Sequence, residues 1–144
     1  MAGIYIHIPF CRKACHYCNF HFSTSLKLKN DFITALLKEI KVRKDYTGTA
    51  AIDTIYFGGG TPSLLLPEEL ERILLAIRLQ YPVAPETEIT LEANPDDIDV
   101  PRLAAWREAG INRLSIGVQS FFDEDLAWMN RSHTAHRALD AIRA

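Results

Sequence analysis

Residues 52–69 read IDTIYFGGGTPSLLLPEE, and the fold follows from this stretch. Ile52 to Phe57 is a short apolar, β-branched run, the composition of a strand. Gly58-Gly59-Gly60-Thr61-Pro62 stops it. Pro67 then stands where a helix accepts proline, with Glu68 and Glu69 in its first turn, and that helix is expected to run to about Gln80. The same unit recurs on both sides. Residues 4–8 (IYIHI) read as a strand closed by Pro9, and a helix begins at Asn30, capped by Asn30 or Asp31, with Phe32, Ala35, Leu36 and Ile40 on one face. It fades near Tyr46–Gly48. Pro82 and Pro85 break the chain before a third strand at 87–92 (TEITLE), which Asn94-Pro95 closes. Asp99 caps a helix through Glu108, and Gly110 fits the position just past its end. Residues 113–118 (RLSIGV) form a fourth strand, and 122–129 and 134–143 read as helical.

Strand and helix alternate four times, the pattern of an α/β protein with parallel strands and right-handed crossovers. Each strand runs into an unusual segment: the cysteine loop, GGGTP, EANP and GVQS. In a barrel or an open parallel sheet these four gather at the carboxyl edge, where sites form. Periodicity alone does not separate the two architectures. The chain ends in or just after a helix without a glycine stop. The expectation is therefore the front part of a longer protein; the alternative is a small, complete four-stranded domain.

The 144 residues suit one domain, and 48% hydrophobic with 24% charged is ordinary globular composition. A net charge of −2 without a basic cluster gives no reason to expect nucleic acid as a partner. No stretch is apolar and long enough for a transmembrane segment. Ile4 to Phe10 contains His7 and Pro9 and lacks the order of a secretory signal. A cytoplasmic location is expected, and there cysteines are more often metal-binding or catalytic than disulfide-bonded.

All three cysteines of the chain, Cys11, Cys15 and Cys18, lie in one segment, C-R-K-A-C-H-Y-C. Thiolates suit zinc, copper(I) and iron–sulfur clusters. Three are one short of full cysteine ligation, which would leave the fourth iron of a cubane cluster to an outside ligand. Three other readings stay open: a structural zinc completed by His7, His16 or His21, a Cys15–Cys18 redox pair, and three unliganded small side chains. Arg12 and Lys13 would offset thiolate charge or face water. Phe10, Tyr17, Phe20 and Phe22 would shield a cluster or belong to the core.

Gly58-Gly59-Gly60 permits close approach of a ligand to backbone, and its amides could meet a carboxylate or an amine-bearing ligand. The run has neither a P-loop ending nor a dinucleotide fingerprint; it is otherwise a tight turn, with Thr61 and Ser63 binding a ligand or setting that turn. Glu92 ends a parallel strand, where an unpaired carboxylate is costly. Gln119 and Ser120 end the next, and Arg131 could pair with a ligand carboxylate. Water-exposed side chains remain the alternative for both Glu92 and Arg131. His133 and His136 have no third partner for a metal.

Together IYIHIPFCRKACHYCNF, YFGGGTPS, LEANP and GINRLSIGVQSF, followed by Arg131 and His133, resemble the oxygen-independent coproporphyrinogen III oxidase family of radical S-adenosylmethionine proteins along nearly the whole chain. The resemblance implies a [4Fe-4S] cluster on Cys11, Cys15 and Cys18, with S-adenosylmethionine chelating the fourth iron and cleaved by one electron to a 5'-deoxyadenosyl radical. It places Tyr5 and Tyr17 near cluster and cofactor, Gly59, Gly60 and Thr61 at the methionine part, and Glu92, Gln119 and Arg131 as further cofactor contacts. It implies a partial (β/α)6 TIM-like barrel. Residues 1–144 would be the N-terminal portion of the radical SAM core domain, with about four βα units present and a C-terminal domain absent. The oxidase carries a fourth cysteine two positions after the third, where this chain has Phe20, and a longer segment before its first strand. Both departures point to the HemW-like heme chaperone branch, with heme as a possible further ligand and a heme-receiving respiratory protein as a possible partner. Decarboxylation of coproporphyrinogen III is the alternative, so enzyme activity is left undecided.

Overall fold

The computed structural model describes residues 2–144. Four parallel strands, β1 (Ala2–Ile8), β2 (Ile52–Gly59), β3 (Val83–Ala93) and β4 (Arg113–Ile116), form one sheet in the order β1-β2-β3-β4. Helices α1 (Lys29–Val42), α2 (Pro67–Gln80) and α3 (Val100–Ala109) connect them, and α4 (Asp123–Trp128) and α5 (Ala135–Arg143) follow. Strand order decides what periodicity could not. A doubly wound sheet reverses its order to place helices on both faces; here the order never reverses, and α1, α2 and α3 pack side by side. This is the wall of a barrel.

The period of two in each strand assigns the faces. Ile6, Ile8, Ile55, Phe57, Ile89, Leu91 and Ala93 are buried in a core shared with Ile33 and Ile40 of α1, Leu70, Ile73, Leu74 and Ile77 of α2, and Trp106 of α3. The register puts the alternate residues opposite one another on the inner face, Tyr5 beside Tyr56 and Thr90, and Glu92 beside Ser115. Apolar residues thus glue the wall to its helices, and polar ones line its concave side.

The helix ends show where side-chain chemistry decides. In α2, Pro67 holds the first helical position, and Glu69 reaches back to accept from the Leu66 amide at 2.8 Å and from Lys29 Nζ at 2.7 Å. Asp99 Oδ1 caps α3 by accepting from the Arg102 amide at 2.7 Å, and Gly110 ends it in the left-handed region at φ 107°. Other boundaries differ from the sequence reading. Helix α1 starts at Lys29 after an N-cap position at Leu28 that makes no side-chain cap, so Asn30 and Asp31 lie inside its first turn. The Lys29–Glu69 ion pair anchors that end instead. Strand β3 starts at Val83 and runs through Pro85. The register against β2 slips between Ile52 and Thr54, and pairing with β4 begins only at Thr90, so Pro85 lies in an irregular stretch that tolerates its missing N–H. Strand β4 ends at Ile116 because two consecutive three-residue turns follow, Val118 N to Ile116 O and Ser120 N to Val118 O, each 2.9 Å.

Candidate cluster and cofactor site

The carboxyl ends of the four strands surround a cleft of about 310 Å³. Cys11, Cys15, Tyr17 and Cys18 line it from the β1 loop, Gly59, Gly60 and Thr61 from the β2 loop, Glu92 and Asn94 from β3, and Gln119 and Arg131 from the segments after β4. Of the eleven residues the sequence singled out, ten are in this wall. Tyr5 is not. It lies within β1, stacks on Tyr56 with ring centroids 6.0 Å apart, and shares a 3.2 Å hydrogen bond with His7 Nδ1.

The cysteine loop is closed at its base. The Cys11 amide donates to Ser23 O at 3.0 Å and the Ser23 amide to Pro9 O at 2.8 Å, while a turn joins Cys18 N to Cys15 O at 3.2 Å. Its far side rests on the end of α4, where His16 N donates to Met129 O, His16 Nδ1 donates to Trp128 O, and Asn130 Nδ2 donates to Ala14 O. All three cysteines are free and half-exposed. Burial pushes the Cys11 thiol above its ordinary pKa, opposed by a hydrogen bond with Thr61, while Cys18 and Cys15 raise it further and Arg131 lowers it. The cation facing Cys15 is Arg131, with Nη1 3.5 Å from Sγ and 3.3 Å from Tyr17 Oη. Arg131 Nη2 is fixed on Gly117 O at 2.6 Å, and its Nε is buried without a protein partner. Arg12, which also lines the cleft, is paired with Asp97.

The glycine loop departs from the reading of its amides as ligand donors. Gly60 N donates to Ile8 O (2.9 Å), Thr61 N to Phe10 O (2.7 Å) and Gly59 N to Glu92 Oε2 (3.2 Å). All three amides are engaged within the protein. The glycines serve close approach instead: a Cβ on Gly60 would stand 2.6 Å from Phe10 O, and one on Gly59 2.5 Å from the His7 ring. A ligand reaching this loop meets acceptors rather than free N–H groups. Glu92 is likewise paired, accepting from Tyr56 Oη at 2.7 Å as well as from Gly59. Gln119 sits at φ 68°, at the centre of the second tight turn, a strained conformation for a side chain of this type. That turn is what carries an exposed amide side chain into the cleft wall.

Three free thiols in one loop, lining one cleft, are a donor set that suits an iron–sulfur cluster, which takes one thiolate per iron. His7, a candidate zinc ligand, has Nδ1 on Tyr5 and Nε2 on His21 O at 3.1 Å.

The sequence of residues 5–144 matches the family model of the radical SAM superfamily. The chain belongs to the radical SAM superfamily. Among its relatives, the heme chaperone HemW of Escherichia coli K12 is 39% identical over 144 residues, covering 98% of this chain and 38% of that protein. The mouse protein named radical S-adenosyl methionine domain-containing protein 1, mitochondrial, is 39% identical over 142 residues, covering 98% and 32%. The solved structure of coproporphyrinogen III oxidase (HemN) from Escherichia coli, a radical SAM enzyme, superposes with a TM-score of 0.86 at 30% identity, covering 98% of this chain and 34% of that one. The chain thus spans about a third of these relatives' length. The radical SAM family implies a [4Fe-4S] cluster and S-adenosylmethionine, and the four parallel βα units are a partial barrel of its kind. Among the described residues no helix is long and apolar enough to cross a membrane.

Proposed function

We propose that residues 1–144 are the cluster- and S-adenosylmethionine-binding part of a heme chaperone-like radical SAM protein. The observation that carries the reading is the meeting of three free thiols with the glycine loop, Glu92, Gln119 and Arg131 in one cleft. In this reading Cys11, Cys15 and Cys18 hold a [4Fe-4S] cluster, which when bound supplies the electron for reductive cleavage of S-adenosylmethionine. Thr61 hydrogen-bonds Cys11, and the Arg131 guanidinium faces Cys15; both oppose the rise that burial imposes on the Cys11 thiol. The methionine part lies against Gly59, Gly60 and Thr61, whose engaged amides leave acceptors for its ammonium group. Glu92, Gln119 and Arg131 supply an acceptor, an amide and a cation for its remaining polar groups, with Tyr17 beside Arg131. Tyr5 acts one step back, stacked on the Tyr56 that holds Glu92.

Heme handling is supported by the HemW relatives and by Phe20, an exposed aromatic in the cleft wall at the position where the oxidase pattern has its fourth cysteine. Heme is then the further ligand, a heme-receiving respiratory protein the partner, and the cytoplasm the compartment that keeps the thiols reduced. The second reading, decarboxylation of coproporphyrinogen III to protoporphyrinogen IX, is favoured by the likeness to HemN. Full-length protein, reconstituted anaerobically, separates the two. The chaperone reading predicts saturable heme binding by absorbance and passage of the heme to an acceptor. Formation of protoporphyrinogen IX from coproporphyrinogen III with S-adenosylmethionine and reductant would overturn it.

A further inference from the structure

Asp97 has a side chain only 1% exposed, in the short turn Pro95–Asp97 behind the cleft. A buried carboxylate is costly unless charge and hydrogen bonds surround it, and here three separate segments supply them. Arg12 Nη2 donates to Oδ1, Arg102 Nη1 forms an ion pair with the same oxygen at 3.2 Å, and Ser63 Oγ donates to Oδ2 at 2.6 Å. Ser63 is itself fully buried and accepts from the Asn94 amide at 3.1 Å. Arg102 comes from α3 and also donates to Asp97 O. Arg12 directly follows Cys11, and Ser63 follows the glycine loop by two residues. One carboxylate therefore joins the cysteine loop, the glycine loop and the end of β3, the walls that form the site.

We infer that Asp97 is a positioning residue that holds the cysteine loop in its ligating shape before any cluster is present. The inference rests on the reading of Cys11, Cys15 and Cys18 as cluster ligands. Two guanidinium groups share one carboxylate. Arg102 is anchored on α3 and binds Asp97 O as well, so Arg12 is the cation that ties the cysteine loop to this carboxylate. Loss of the negative charge would free Arg12 to swing into solvent, leaving the loop near Cys11 to its backbone ties to Pro9 and Ser23.

The test uses full-length protein and the variants Asp97→Asn, Arg12→Met and Arg12→Lys. Asparagine keeps the shape and can still accept from Ser63. In the metal-free protein, hydrogen exchange of the amides at residues 11–23 should accelerate about three- to tenfold in Asp97→Asn and in Arg12→Met, the range expected for loss of one charged hydrogen bond whose arginine is half-exposed and whose carboxylate is buried. The double variant should be no faster than either single one, and Arg12→Lys should recover part of the protection. After reconstitution with iron and sulfide, the same two variants should lose their cluster to a chelator faster by a similar factor. Wild-type exchange rates in Arg12→Met, or additive effects in the double variant, would overturn the inference. Failure of the wild-type protein to assemble any cluster would instead sink the cluster reading on which it rests.

Discussion

Gly60→Ala tests whether the glycine loop serves as a spacer. The added Cβ would stand 2.6 Å from Phe10 O, 2.7 Å from Ile8 O and 2.9 Å from Phe10 N. All three are backbone atoms and cannot rotate aside. Reaching ordinary contact requires a retreat of roughly 0.7 Å at both carbonyls, and those carbonyls accept from Gly60 N and Thr61 N. Overpacking of this kind costs about 1–3 kcal/mol. Loss of the two hydrogen bonds adds about 1 kcal/mol each, for a loss of about 3–5 kcal/mol in all. The displaced residues lead directly into Cys11, so cluster loading should fall together with stability. Gly48→Ala is the comparison. Its φ of +59° is unfavourable for alanine, but nothing stands within 4 Å, so about 1 kcal/mol is expected and no change in cluster content. The assay is urea unfolding of full-length protein with iron and sulfide analysis of the same samples. A Gly60→Ala variant as stable as Gly48→Ala, and equally loaded with iron, would refute the spacer argument.

Glu92→Ala removes the acceptor for Tyr56 Oη and for the Gly59 amide; it should weaken S-adenosylmethionine binding at least tenfold by calorimetry while sparing most of the iron, and unchanged affinity would reject the role given to Glu92. His133 is buried with Nε2 2.9 Å from Val118 O and Nδ1 unpartnered, and burial lowers its pKa below the ordinary 6.5, with Arg131 also lowering it and Asp96 opposing. The unfolded chain therefore binds the proton first, so the stability due to the neutral ring is full above about pH 6.5 and is lost as pH falls through the folded pKa, with a slope of at most about 1.4 kcal/mol per pH unit. Urea unfolding of the metal-free full-length protein between pH 7.5 and 5.5 should show that slope, and His133→Gln should flatten it; an identical slope in the variant would remove His133 as its source.

The α/β alternation, the helix stop at Gly110 and the Asp99 cap were all legible in sequence, because each is set by side chains close along the chain. The start of α1 was not. No side chain caps it, and Lys29 there pairs with Glu69, a partner from another helix. The run of β3 through Pro85 depends on which neighbouring strand leaves that edge unpaired, and on a register slip that no local pattern records. Barrel and open sheet were indistinguishable until strand order was known. At the site, residue types and spacing brought the cleft wall together, since strand ends converge in any parallel sheet. They could not reveal that the glycine amides are engaged by Ile8, Phe10 and Glu92, nor that Arg12 faces Asp97 while Arg131, far along the chain, faces Cys15. Those are contacts between loops, and only the assembled wall determines them. Tyr5 stands three residues before the end of β1, one layer below the residues that line the cleft.

The central claim is that Cys11, Cys15 and Cys18 share one cluster with a position open to S-adenosylmethionine. The most direct measurement is iron and acid-labile sulfide content of anaerobically reconstituted full-length protein, with electron paramagnetic resonance of the reduced form before and after S-adenosylmethionine. The account predicts about four irons and four sulfides per chain, a signal that changes on adding S-adenosylmethionine, and loss of both in Cys15→Ala. Zinc without labile sulfide, or a full cluster retained in Cys15→Ala, would contradict it.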